Sequence, residues 1–166
     1  MKLIIHDLDE KQIENIVHNS SDDFMMISNN HPIRNCIGCF GCWVKTPGAC
    51  VIRDQYGDMG EKISKSDEVM IISKCYFGGF SPFVKNVLDR SISYVHPYFT
   101  IRNGEMHHKS RYEKQLPFTV WFYGTDITQG EMSTAEKLVK ANGINLNVSS
   151  MKVNFYKNVE EMEGLL

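Results

Sequence analysis

The stretch DEVMIISKCYFGGFSPFVKNVLDRS, residues 67–91, reads as a strand, a loop and a helix in succession. Residues 67–73 are a nearly unbroken apolar run after two acids, the pattern of a strand buried on both faces. Ser81 followed by Pro82 is an N-cap with a first-turn proline. Phe83, Val84, Val87 and Leu88 then recur at helical spacing, which predicts a helix over 81–93. Between the two, Gly78 and Gly79 let backbone come close to a flat ligand, with Tyr76, Phe77 and Phe80 beside them. A buried strand leading into a helix is the repeating unit of a parallel α/β sheet.

The same unit recurs on both sides of this stretch. Residues 2–6 (KLIIH), 23–27 (DFMMI), 117–123 (PFTVWFY) and 145–151 (NLNVSSM) read as further strands. Helices are predicted over 9–19, with Ile13, Ile16 and Val17 on one face, over 55–65, with Met59 and Ile63, and over 131–142, ending at Gly143 as a C-cap. Glu131, Glu136, Lys137 and Lys140 read as the solvated face of that last helix. The tail after 152 reads as a short helix or a frayed end. Five strands alternating with helices predict an α/β sandwich around a parallel sheet, and the whole of 1–166 reads as a single domain. Two long connections interrupt it, a cysteine-rich loop over 29–54 and an aromatic and histidine-rich loop over 94–116. Connections of that length in a compact domain are usually functional.

The totals narrow the classes of function. A formal net charge of −2 gives no global attraction to nucleic acid or to an anionic membrane. MKLIIHDLDE turns acidic after a short apolar run, unlike a signal peptide or a membrane span, so a cytoplasmic protein is expected. In that compartment, clustered cysteines point to metal or redox chemistry more than to structural disulfides.

The cluster is RNCIGCFGCWVKTPGACVIRD, residues 34–54, which holds Cys36, Cys39, Cys42 and Cys50. Three cysteines at steps of three cannot share one face of an α-helix, because each step falls about 60° short of a full turn. They suit a loop wrapped around a compact object, with Gly38 and Gly41 permitting left-handed turns and Pro47-Gly48 returning the chain to Cys50. Four thiolates, supplied as C-x2-C-x2-C plus one more, are what a 4Fe–4S cluster requires. Structural zinc takes four thiolates from two separated C-x2-C knuckles, and the third cysteine comes too soon for that layout. A Cys39–Cys42 or Cys42–Cys50 disulfide, zinc or free thiols remain open alternatives.

Tyr76, Gly78, Gly79, Ser81, Lys85, Asp89 and Arg90, in the pattern Y-F-G-G-F-S-P-F-V-K-N-V-L-D-R, resemble the second flavin loop of the flavodoxin-like NAD(P)H-dependent FMN reductases. The cysteine spacing resembles the cluster motif of the iron–sulfur flavoproteins, a branch of the same fold. The resemblance implies a three-layer, flavodoxin-like sandwich with a five-stranded parallel sheet in the order 2-1-3-4-5. It also implies FMN at the strand ends, homodimers or homotetramers, and an FMN-dependent oxidoreductase or electron-transfer function. Tyr76, Phe77, Gly78, Gly79, Phe80, Tyr123, Gly124 and Thr125 would be the flavin-binding residues, with Thr128 offering a further hydroxyl. Cys36, Cys39, Cys42 and Cys50 would be the cluster ligands. No acid–base residue stands out.

One loop departs from the family pattern. The family's first loop resembles G-S-P-R-x-x-G-N-T and cradles the FMN phosphate at a helix N-terminus. Here IIHDLDEKQIENI, residues 4–16, has no glycine, serine, threonine or arginine, and Asp7, Asp9 and Glu10 stand at that place. Asp9 also reads as a plain helix cap. The alternative function is therefore a cofactor-poor, flavodoxin-like interaction or thiol-sensing protein. Among the remaining residues, Cys75 reads as a buried, inert thiol, His107 and His108 as surface or subunit-contact residues, and Trp43 as either a cluster shield or packing beneath its loop. Trp121 and Phe122 read as core.

Overall fold

A computed structural model describes residues 1–166. Five parallel strands form one sheet: β1 (Lys2–His6), β2 (Phe24–Ile27), β3 (Glu68–Lys74), β6 (Pro117–Tyr123) and β7 (Ser150–Tyr156). Their order is β2-β1-β3-β6-β7, which is the expected 2-1-3-4-5 order once the strands of this sheet are counted alone. The fold is flavodoxin-like.

Period-two alternation explains why the inner strands are apolar throughout. Leu3 and Ile5 of β1, Val69 and Ile71 of β3, and Phe118, Val120 and Phe122 of β6 face one core. That core is closed by α3 (Met59–Lys65), α4 (Pro82–Arg90) and α5 (Gln129–Leu146). Ile4, Met70, Ile72 and Trp121 face the other side, against Ile13 and Ile16 of α1 (Glu10–Val17) and against Val159 and Met162 near the C-terminus. Each inner strand thus buries both faces, the condition for a parallel sheet.

Three sequence expectations change. The helix expected to stop at Gly143 runs on to Leu146, and Asn147 in the left-handed conformation (φ 54°) caps it. Gly143 lies inside the helix, at a position where a Cβ would collide with the Met151 side chain. The last strand accordingly lies at 150–156 rather than 145–151, so the first part of the tail completes the sheet edge, and the expected short helix is a single 3-10 turn at Glu160–Met162. The aromatic and histidine loop is a β-hairpin, β4 (Val95–Arg102) with β5 (Glu105–Ser110). Its two-residue turn is Asn103-Gly104, both at positive φ (51° and 82°), the geometry that the right-handed strand twist favours. No helix is long and apolar enough to cross a membrane.

Candidate functional site

The carboxyl ends of the strands carry the first group of candidate residues. The loop after β3 is held in a tight reverse turn by paired backbone bonds between Tyr76 and Gly79, the N–H of each donating to the carbonyl of the other at 3.0 and 2.8 Å. Gly78 has φ +78°, and a Cβ there would sit 2.7 Å from Thr134 Cβ and 2.8 Å from the Glu131 carbonyl oxygen. Glycine is therefore needed both for the turn and for the approach to α5. Phe77 adopts φ 51° and leaves its ring 90% exposed, and Tyr76 is also exposed. A bulky residue held in the left-handed region at a strand edge is a strained position of the kind that gathers at ligand sites. Phe80 is buried and stacks on Phe122 at 5.2 Å, so it supports the loop from below.

Tyr123 reaches the same edge. Its hydroxyl donates to Asp7 Oδ1 at 3.1 Å, while the Lys74 N–H donates to both Asp7 oxygens at 3.0 and 3.3 Å. Burial first, and the Asp7 carboxylate second, push the Tyr123 phenol well above its usual pKa. Gly124 is fixed by its N–H donating to the Tyr156 carbonyl, and Thr125 turns its hydroxyl to Asp126. Thr128 is occupied as the N-cap of α5, in a capping box with Glu131. Glu131 is therefore a capping partner rather than part of the solvated face, whereas Glu136, Lys137 and Lys140 are exposed. Cys75 is half-buried, and burial raises its thiol pKa.

The second group gathers elsewhere. Cys36, Cys39, Cys42 and Cys50 are all free and line one cleft of about 520 Å³. Its walls come from the C-terminal ends of α4 and α5 and from the hairpin, through Leu88, Ile92, Val95, His108 and Leu146. Cys36 and Cys39 are exposed, and Cys42 and Cys50 half-buried. Burial first, then the mutual repulsion of the thiolate charges at Cys50, Cys36 and Cys39, raise the pKa of Cys42. No three His, Cys, Asp or Glu side chains converge on a single ion position.

The cysteine loop is shaped by Gly38 (φ 64°), by Phe40 in the left-handed region (φ 57°), and by the one-turn helix α2 (Gly41–Val44). Gly41 was expected to supply a left-handed turn. It is instead helical and close-packed, since a Cβ would lie 2.6 Å from Val51 Cγ1. Trp43 lies beneath the loop, its indole N–H donating to the Val95 carbonyl at 2.9 Å, its ring 5.6 Å from Phe40 and 4.9 Å from His108. His107 meets Asn145 Oδ1 at 3.1 Å, and His108 also stacks on Phe99 at 5.0 Å. Both half-buried histidines thus tie the hairpin to the molecule.

Sequence reasoning missed the anchor of this loop. The Arg90 guanidinium is fully buried and donates to both Asp54 oxygens at 2.8 Å and to the Arg34 carbonyl at 2.7 Å. Asp54 also accepts from the backbone N–H groups of Tyr56 and Arg34. Hydrogen bonding to Arg90 holds its carboxyl down at about 2. Burial works against the charge of Arg90, yet Asp54 and Cys50 outweigh it and leave its pKa raised. The pair closes the two ends of the cysteine loop onto the last turn of α4.

No protein-family model matches the chain. Two curated relatives match part of it. An iron–sulfur flavoprotein of Methanocaldococcus jannaschii is 39% identical over 56 residues, 34% of this chain and 28% of the relative. An iron–sulfur flavoprotein of Archaeoglobus fulgidus is 34% identical over 62 residues, 37% of this chain and 29% of the relative. The matched part thus spans less than a third of either relative's length. Among solved structures, general stress protein 14 of Treponema denticola in complex with FMN is similar with a TM-score of 0.59 at 14% identity, over 98% of this chain and 91% of that one. An azoreductase of Bacillus anthracis gives a TM-score of 0.63 at 9% identity, over 98% and 92%. The chain thus shares its flavodoxin-like fold with these structures over nearly its whole length, and about a third of its sequence is similar to part of two iron–sulfur flavoproteins.

Proposed function

We propose that this chain is a flavin-dependent redox protein of the iron–sulfur flavoprotein type, with an iron–sulfur cluster in the cysteine cleft and a flavin ring at the strand edge. The observation that carries the reading is the convergence of four free thiols on one apolar-walled cleft. A single zinc ion needs its four sulfurs within about 4 Å of one another, given Zn–S bonds of about 2.3 Å. Four thiols at C-x2-C-x2-C-x7-C spacing match in number and layout the four thiolates that a 4Fe–4S cluster takes. Cys36, Cys39, Cys42 and Cys50 would hold it. Phe40 and Trp43 would keep water from one side, and buried Arg90 beside Cys50 would offset thiolate charge.

Exposed Tyr76 and Phe77, the close backbone at Gly78 and Gly79, and the strand end at Tyr123, Gly124 and Thr125 offer a ring-binding edge. The terminal phosphate of FMN does not fit, because the β1–α1 turn presents carboxylates and its helix N-terminus is already capped. The loop and the cleft lie before and after α4, whose nine residues span about 13 Å. A flavin exchanges one or two electrons and a cluster one, so together they would couple a two-electron donor to a single-electron acceptor. The NAD(P)H-dependent reductase activity, the homo-oligomer and the cytoplasmic location are part of the same reading.

The test is purification without oxygen, followed by a visible spectrum and iron, sulfide and flavin assays on one sample. About four irons per chain with broad absorbance near 400 nm would support the cluster half. A protein that stays colourless after reconstitution with iron, sulfide and flavin would sink the reading. Exposure of Cys36 and Cys39 favours a thiol sensor as the second reading, and the same colourless outcome with oxidant-dependent loss of two titratable thiols would select it.

A further inference from the structure

The β1–α1 turn opens onto a second cavity of about 570 Å³, shared with the loop after β2 (residues 28–30). In a parallel sheet of this order, a ligand's anionic group is expected over the turn after β1, at the N-terminus of the following helix. The chemistry here is the opposite of an anion site. Asp7, Asp9, Glu10 and Glu14 line the cavity, and no lysine or arginine does. The helix end is closed, since Asp9 Oδ1 accepts the Gln12 N–H at 2.9 Å and Gln12 Oε1 accepts the Asp9 N–H at 3.0 Å. A second, independent feature is His6, which is 2% exposed, lines the same cavity, and has no partner for Nδ1. Burial lowers its pKa to about 4, so the imidazole is neutral near pH 7. With its proton on Nε2, Nδ1 is one more acceptor.

We propose, building on the flavin reading above, that this cavity receives the end of a flavin carrying free hydroxyls, so that the site takes riboflavin in preference to FMN. Asp7 and Asp9 already hold donors, but the Glu10 and Glu14 carboxylates and the lone imidazole nitrogen accept no hydrogen bond within the chain and call for donors. The ribityl chain of riboflavin ends in hydroxyl groups that donate and carry no charge. The phosphate ester of FMN replaces the terminal donor with about −1.5 to −2 charges at pH 7 and would meet like charges.

The experiment is flavin fluorescence quenching by the full chain at pH 7.5, with riboflavin and FMN titrated separately at low and high sodium chloride. Riboflavin should bind at least tenfold more tightly than FMN at low salt, and salt should narrow the gap by screening the carboxylates. Glu10→Gln with Glu14→Gln alters two exposed positions outside the core and the cap. It should strengthen FMN binding at least threefold and narrow riboflavin's advantage over FMN, because the amide oxygens still accept while the like charge is gone. FMN binding equal to or tighter than riboflavin would overturn the preference while leaving the flavin reading intact, as would a charge variant with unchanged FMN affinity. Failure of both flavins to bind would overturn the preference together with the flavin reading.

Discussion

Replacing Asp54 by asparagine tests whether the cysteine loop is anchored by the buried pair with Arg90. Arg90 has no exposed side-chain surface, and four of its hydrogen bonds run to Asp54, Arg34 and Ile52. The pair-dependent part follows from the carboxyl pKa, which falls from 3.8 to about 2. At about 1.4 kcal/mol per unit, that is roughly 2.5 kcal/mol at neutral pH. Asparagine also leaves the guanidinium buried without its counter-charge, which brings the expected loss to about 3–5 kcal/mol. For a chain of this size the corresponding fall in Tm is about 6–20 °C. The folded pKa is the lower one, so the contribution is full above about pH 4 and is lost as pH falls through about 2. Urea unfolding of both proteins at pH 7 and at pH 3 would therefore show the gap narrowing at the acid end. A further variant with Arg90→Met added should recover part of the loss, because the orphaned charge is gone. An Asp54→Asn protein within 1 kcal/mol of the parent at pH 7 would refute the anchoring argument.

Three other outcomes follow from the same geometry. Protonation of His6 is favoured in the unfolded chain, with an ordinary pKa of 6.5 against about 4 when folded; the protein should therefore lose up to about 3 kcal/mol as pH falls from 6.5 to 4, a slope that denaturation of His6→Asn should lack. Gly78→Ala combines a positive φ with contacts under 3 Å to α5 and should cost about 2–4 kcal/mol in chemical denaturation, whereas Gly104→Ala, with open space around it, should cost only about 1–2 kcal/mol. Phe77→Ala removes an exposed ring at a strained position, so stability should move by less than about 1 kcal/mol while flavin affinity in the quenching titration falls at least fivefold.

The sequence carried the inner sheet and its partners. The runs at 67–73 and 117–123 can be read because strands buried on both faces must be apolar at every position. The caps at Asp9 and Ser81 are local hydrogen-bond chemistry. The acidic first turn and the cysteine spacing were equally plain, since they need no partner to be recognised. The edges could not be read in this way. β7 begins with exposed residues, so its first half has no apolar period to see, and the true end of α5 is set by a left-handed asparagine, Asn147, where the more usual glycine signal at 143 lies inside the helix. The hairpin was signalled by Asn103-Gly104, a cue that the aromatic and histidine content of the segment obscured.

What the tertiary structure alone decided is which distant groups meet. Asp54 and Arg90 are 36 residues apart in the chain, and Asp7 and Tyr123 are 116 apart. No local spacing encodes either contact. Only the parallel register, which sets β1 beside β3 and β3 beside β6, brings Asp7 to the Lys74 amide and the Tyr123 hydroxyl. The last turn of α4 likewise brings a buried guanidinium to the cysteine loop. Residue types determine what chemistry a group can do, but burial and partners determine its charge state, and both depend on long-range packing.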